Sequence, residues 1–153
     1  MARRSFVDTF TAVIDPAEMP VYLDKAYGPA GQMQQDLGDP AVDWRAAFVD
    51  GLPVGYLKLS AMTLPYDAAP GVMEVRQLYV AAEWHGAGVA ETLMRWAIDL
   101  ARARRAPEIY LAVFDHNQRA TRFYARHGFT KVGRFDFMTG TQVHDDGIWR
   151  RML

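Results

Sequence analysis

Two glycines, Gly86 and Gly88, stand between the apolar run from Leu78 to Val80 and an amphipathic segment that begins at Val89. Glycine allows the main chain to approach an anion closely. The first turn of a helix offers unpaired N–H groups and the positive end of the helix dipole to the same charge. The stretch therefore predicts a pocket for phosphate, and the molecule that carries this phosphate should define the chemistry.

Two common phosphate-binding loops do not fit this segment. A P-loop requires Lys and then Ser or Thr directly after its second glycine, whereas Val89 and Ala90 follow Gly88. A dinucleotide-binding loop requires a third glycine, and an acidic residue roughly 20 positions further on. That third glycine is absent, and two predicted antiparallel strands precede the loop.

A second motif follows from Asn117 to Phe129, with the sequence Asn-Gln-Arg-Ala-Thr-Arg-Phe-Tyr-Ala-Arg-His-Gly-Phe. It resembles the GNAT superfamily signature Asn-x-x-Ala-x-x-Phe-Tyr-x-x-x-Gly-Phe. The segment His85 to Ala90 is similar to the acyl-CoA loop of the same N-acetyltransferases, Gln/Arg-x-x-Gly-x-Gly/Ala. Further matches resemble bacterial enzymes of the spermidine/spermine acetyltransferase type: Thr9-Phe10, Asp15-Pro16, Tyr22-Leu23, residues 55–59 and residues 137–140.

The resemblance implies acetyl-CoA as the cosubstrate. Its pantetheine arm would lie along the main chain of Leu78, Tyr79 and Val80, and Asn117 would reach the same arm. For Asn117, capping of the following helix is an equally good interpretation, because Asn is a preferred cap without any ligand. The diphosphate would meet the main-chain amides of His85, Gly86, Ala87, Gly88, Val89 and Ala90.

Two side chains are expected to move protons. Tyr124 matches the family tyrosine that donates to the coenzyme sulfur, and a phenol is protonated at neutral pH. Glu74 lies where several family members place a base, which an alkylammonium acceptor needs before it can attack. The structural alternatives are a packed aromatic side chain for Tyr124 and a strand carboxylate paired with Arg76 for Glu74. A main-chain N–H near Tyr79 or Val80 would polarise the thioester carbonyl.

The chain departs from the family pattern at two places. His85 stands where Gln or Arg is usual, so the charge beside the diphosphate could vary with pH. The sequence also begins within the family's first helix, without a preceding strand. We treat residues 1–153 as a single N-acetyltransferase domain and expect either an upstream start or a sheet edge completed by a second subunit, which makes a homodimer one expectation.

Composition limits the other possibilities. The 153 residues, half of them apolar, suit one domain with a substantial core. Seventeen basic and eighteen acidic residues give no overall field for nucleic acid or a membrane surface. Without cysteine there is no thiol chemistry, and no metal site is predicted because His127 and His144 lack further ligands at metal spacing. No signal-like or membrane-spanning apolar run occurs, so we expect a cytoplasmic protein.

The pattern of apolar residues predicts a mixed, mostly antiparallel sheet with helices on both faces. A strand, a helix and a strand around the glycine loop form a βαβ unit, whose two strands must be parallel. Asp50-Gly51 predicts a tight hairpin turn. Predicted helices cover residues 3–10, 16–27, 30–37, 89–102 and 117–127, and predicted strands cover residues 44–50, 52–61, 72–80, 108–114, 135–138 and 147–152.

The sequence thus favours an acetyl-CoA-dependent N-acetyltransferase that works by direct transfer to a small primary amine, such as a polyamine. Two other functions stay open. The acceptor could be the N-terminus or a lysine of a protein or peptide. The chain could also be a regulatory module that binds acyl-CoA without catalysis.

Overall fold

The computed structural model describes all 153 residues as five α-helices and six β-strands. The helices are α1 (Ala2–Phe10), α2 (Glu18–Tyr27), α3 (Gln32–Gly38), α4 (Val89–Ala103) and α5 (Gln118–Arg126). The strands are β1 (Asp43–Val49), β2 (Leu52–Ala61), β3 (Met73–Val80), β4 (Glu108–Phe114), β5 (Thr130–Thr139) and β6 (Gln142–Met152). None of the helices combines the length and apolar character needed to cross a membrane.

All six strands form one sheet in the order β1-β2-β3-β4-β6-β5. Every neighbouring pair is antiparallel except β3 and β4, which are parallel because α4 crosses between them. The prediction of a mixed, mostly antiparallel sheet with one central parallel pair is therefore confirmed.

The parallel pair separates soon after it forms. β3 and β4 are in register only at Met73 with Ile109 and at Glu74 with Tyr110. A bulge lies just beyond this point, because Lys58 of β2 faces Gln77 while the next residue faces Val75, which leaves Arg76 as the extra residue. Since a bulge bends its strand, β3 diverges from β4 and opens a fork in the centre of the sheet.

Helices cover both faces of this sheet. Leu78 and Val80 pack into the large core beneath α4 and α5, whereas Tyr79 packs against the smaller cluster of α1 and α2. Because neighbouring strand residues point to opposite faces, the two helix pairs lie on opposite sides of β3. The fork therefore opens toward both helical layers.

Most predicted elements are present with shifted ends. The hairpin at Asp50-Gly51 is confirmed, and both residues have positive φ, as that turn requires. The two terminal strands are longer than predicted, since β5 begins at Thr130 and β6 at Gln142. A tight turn at Gly140, also with positive φ, joins them where a longer loop was expected. A short 3₁₀ helix, Ala82–Trp84, precedes the glycine loop.

A buried ion pair ties α3 to the sheet. Lys58 Nζ lies 2.5 Å from Asp36 Oδ2, and Arg76 Nη1 lies 3.6 Å from Asp36 Oδ1. Burial alone would raise the pKa of the Asp36 carboxyl, but the bonds from Lys58 and Gln32 hold that pKa below its usual range. Burial lowers the pKa of Lys58 despite its bond to Asp36. Both members of the pair are almost fully buried.

Replacing Asp36 with asparagine should lower the free energy of unfolding by about 3 to 5 kcal/mol, because Lys58 is left as an uncompensated buried charge. Urea unfolding at pH 7 measures the change. Asp24→Asn on the exposed side of α2 is the matched control and should change the stability by less than about 0.5 kcal/mol. Equal stability of the two variants would contradict the structural role of the pair.

Candidate active site

A cleft of about 680 Å³ runs through the fork between β3 and β4. One end is lined by residues of α4, α5 and the glycine loop, and the other by Phe6, Phe10 and Tyr22 of the first two helices. The predicted site residues that line it are Glu74, Leu78, Tyr79, Val80, His85, Gly86, Gly88, Val89, Ala90, Asn117 and Tyr124. Ala87 is the exception, because it does not line the cleft.

The amides of the glycine loop divide into two groups. His85 N donates to Ala82 O at 3.1 Å and Ala87 N donates to Trp84 O at 3.3 Å, so both point into the loop itself. The amides of Gly86, Gly88, Val89 and Ala90 have no acceptor within the chain. Gly86 and Gly88 both have φ near +80°, a conformation that glycine adopts without steric cost. The loop and the start of α4 therefore present a set of free donors suited to an anion.

His85 is fixed by two contacts rather than left free beside this anion site. Its Nε2 lies 3.0 Å from Val80 O, and its Nδ1 lies 2.5 Å from Nη1 of Arg119. Because a carbonyl only accepts and a guanidinium only donates, this geometry fits a neutral ring with its proton on Nε2. The positive charge at this position is thus supplied by Arg119.

Arg119 is a cleft residue that the motif comparison did not single out. It lies in the first turn of α5, where the helix dipole disfavours a cation. Apart from the contact with His85, its guanidinium makes no hydrogen bond or salt bridge within the chain. In the sequence, the signal for Arg119 was a basic residue at an unfavourable helix position. In the structure, its guanidinium is able to pair with an external anion.

Asn117 caps α5, as one of its two interpretations predicted. Its Oδ1 accepts a hydrogen bond from Ala120 N at 3.1 Å. The residue also lines the cleft, and its side-chain amide makes no further bond within the chain. Contact with a bound ligand stays a prediction for Asn117.

Tyr124 lies in the cleft with a hydroxyl that bonds to nothing in the chain. Its ring packs against Phe123 and Phe129, with centroids 5.5 Å and 5.9 Å away. Burial raises the pKa of Tyr124 to about 12. The phenol is therefore protonated throughout the neutral range, and the packing of its ring leaves the hydroxyl available as a proton donor.

Glu74 lies at the narrow end of the fork and is buried. Its Oε2 accepts three hydrogen bonds, from Thr63 N at 2.6 Å, Thr63 Oγ1 at 2.9 Å and Leu64 N at 3.1 Å. Its Oε1 accepts none from the chain. The predicted pairing with Arg76 is absent, because Arg76 pairs with Asp36. One oxygen of Glu74 thus anchors the loop after β2, and the other is left without a partner.

At the end of the cleft opposite the glycine loop, β5 and the first two helices contribute lining residues, and hydrogen bonds join the segments next to them. Thr141 Oγ1 donates to Glu18 Oε1 at 2.8 Å, and Gln142 bonds to Asp15 N and Val13 O at 2.8 Å and 2.9 Å. The β5–β6 hairpin is thereby attached to the α1–α2 connection. The aromatic side chain of Tyr22 faces this end, while Tyr27, Trp44 and Tyr66 pack elsewhere.

Comparison with known proteins decides between the possible phosphate-binding families. The model of the acetyltransferase (GNAT) family matches residues 4–129. The chain belongs to this family. An uncharacterized N-acetyltransferase of Mycobacterium tuberculosis (strain H37Rv) is 31% identical over 153 residues, covering 100% of this chain and 94% of the relative. Another, from Lactobacillus delbrueckii subsp. lactis, is 25% identical and is covered to 88%.

The fold agrees with this assignment. The PaiA N-acetyltransferase of Thermoplasma acidophilum, solved in complex with coenzyme A, superposes with a TM-score of 0.74. The match covers 99% of this chain and 88% of that one, at 19% sequence identity. The chain is thus a GNAT N-acetyltransferase in sequence and in fold, as its two motifs predicted.

Proposed function

We propose that this GNAT protein transfers the acetyl group of acetyl-CoA by direct attack to a primary amine of a small, polyamine-like molecule. The observation that carries the proposal is the fork itself. It joins four free loop amides to an unpartnered tyrosine hydroxyl through one continuous cleft. Acetyl-CoA supplies the activated acetyl group and, in related structures, coenzyme A is the bound ligand.

The residues around the fork fit that cosubstrate. The amides of Gly86, Gly88, Val89 and Ala90, together with Arg119, would hold its diphosphate. Beyond Glu74 the edge of β3 has no partner from β4, so the main chain of residues 78–80 is able to pair with the amides of the pantetheine arm. Asn117 would add its side-chain amide.

The chemistry then needs two proton movements. As the amine nitrogen bonds to the carbonyl carbon and the C–S bond breaks, Tyr124 would give its proton to the departing thiolate. The ammonium proton of the acceptor must leave before attack, and Glu74 is our candidate base through its free Oε1. A main-chain N–H near Tyr79 or Val80 would stabilise the negative charge on the carbonyl oxygen.

The link between the β5–β6 hairpin and the α1–α2 connection favours a small acceptor over a peptide. Hydrogen bonds join these two segments, and the elements next to them line the end of the cleft opposite the glycine loop. An extended peptide requires an open groove, whereas a slender alkylamine needs only a narrow opening. This bonded connection is the support for a small-molecule acceptor.

The test is release of coenzyme thiol from acetyl-CoA in the presence of polyamines, amino acids, aminoglycosides and peptides. We expect saturable release with polyamines and none above background with peptides. Tight binding of acetyl-CoA without turnover for any amine would instead indicate a non-catalytic module. Absence of any calorimetric affinity for CoA or acetyl-CoA would overturn the proposal.

A further inference from the structure

Three carboxylates lie close together near the end of the cleft opposite the glycine loop, and two of them have cationic partners. Asp115 bonds to Lys131 Nζ at 2.5 Å, and Asp145 bonds to Arg134 Nη2 at 2.6 Å. The third, Asp146, makes no hydrogen bond or salt bridge within the chain, although it lines the cleft and is half-buried. The fold therefore gives Asp146 no structural partner.

Aromatic rings surround this carboxylate. In the sheet Asp146 stands between Phe114 of β4 and Phe135 of β5, so the three side chains share one face. On the same side of the cleft, Tyr22 packs against Phe137 at 5.7 Å. All of these residues line the cleft. A negative charge set among aromatic faces is an arrangement that suits an organic ammonium group, through charge pairing and cation–π attraction.

The groups around Asp146 determine how readily its carboxyl becomes charged. Burial, together with the nearby charges of Asp115 and Asp145, raises the pKa of its carboxyl to about 7. α1 offers only uncharged side chains to the cleft. The other titratable groups around this recess are Tyr22 of α2, His144 two residues along β6, and His116, whose ring packs on Phe114 at 5.3 Å.

We propose that Asp146 binds a positively charged amino group of the acceptor, so that the acceptor is a cationic amine held in an aromatic-walled recess. The inference rests on the proposed function, because it identifies the acceptor of that reaction. It makes Asp146 a residue that recognises the acceptor, separate from Tyr124 and Glu74, which are proposed to handle protons.

Binding of spermidine to the protein loaded with CoA tests this role directly. At pH 8 we expect calorimetry to show binding that is weakened about tenfold or more in Asp146→Asn, since the variant keeps the shape and loses the charge. Asp145→Asn is the matched control, because it changes the neighbouring residue of the same strand. It should bind spermidine within about twofold of the parent protein, as expected for an exposed ion pair.

The pH dependence gives a second readout. Spermidine stays cationic from pH 6 to 8, because alkylamines have pKa values of about 10. Asp146 becomes charged over the same interval, so affinity should rise with pH in the parent protein and stay flat in Asp146→Asn. Equal affinity of parent and Asp146→Asn, or no binding by the parent, overturns the inference.

Thiol release separates this inference from the proposed function. If the parent turns over amines and Asp146→Asn has the same KM, the inference fails while the enzymatic function stands. If spermidine binding depends on Asp146 but no amine supports thiol release, the recognition site is supported and the proposed transfer fails. The expected result is a higher KM for cationic amines in Asp146→Asn, with kcat changed by less than about threefold.

Discussion

Replacing Tyr124 with phenylalanine is expected to reduce kcat for acetyl transfer by about 100-fold or more while acetyl-CoA still binds. The substitution removes a hydroxyl that lines the fork and has no partner in the chain, and with it the proposed proton donor for the thiolate. The ring packing against Phe123 and Phe129 is retained, so the stability should change little. Steady-state kinetics and calorimetry with CoA measure the two effects separately.

Tyr66→Phe is the matched control for this variant. Tyr66 also packs in an aromatic pair, with Tyr110 at 5.7 Å, but it does not line the cleft. Its replacement should leave kcat within about twofold of the parent, as for changes away from the reacting groups. Parental turnover by Tyr124→Phe with every responsive amine would show that another group protonates the thiolate.

Replacing Gly88 with alanine should weaken the binding of CoA by about tenfold or more, which corresponds to about 1.4 kcal/mol. Gly88 has φ of +80° and immediately precedes α4. An added Cβ would meet no atom of the chain, yet it would project from a residue that lines the anion site. Left-handed backbone also costs about 1 to 2 kcal/mol for a residue with a Cβ. Calorimetry with CoA and urea unfolding measure the two costs.

Gly71 provides a control with the same backbone. It also has φ of +80° and free space for a Cβ, but it precedes β3 and lies outside the cleft lining. Gly71→Ala should therefore lose a similar free energy of unfolding and keep the parental affinity for CoA. If the two variants bind CoA equally well, the loop amides do not hold the diphosphate.

Local signals were sufficient for much of the fold. Periodic apolar residues from Val89 to Leu100 predicted α4, and the observed helix spans Val89–Ala103. The Asp50-Gly51 pair predicted its hairpin because both positions require positive φ. The order strand, helix, strand around α4 predicted the parallel pair. These features depend on residues close together in the sequence, where propensity and periodicity act directly.

Features that depend on contacts between distant segments could not be predicted from the sequence. The bulge at Arg76 arises from the register between β2 and β3, which no single strand encodes. The contact of Arg119 with His85 joins the start of α5 to the glycine loop, 34 residues apart in the sequence. Asp146 lay in a segment expected to be a loop, and only its place in β6 reveals that it faces the cleft. The site motifs indicated which segments matter, and tertiary pairing determines which atoms remain free.

The link from Asp36 to Arg76 connects α3 to the fork between β3 and β4. The carboxylate that neutralises Lys58 also contacts the extra residue of the β3 bulge. We expect a change that repositions α3 to alter the opening between the central strands. Substitutions in α3 are therefore expected to affect the fork even at positions that never approach the coenzyme.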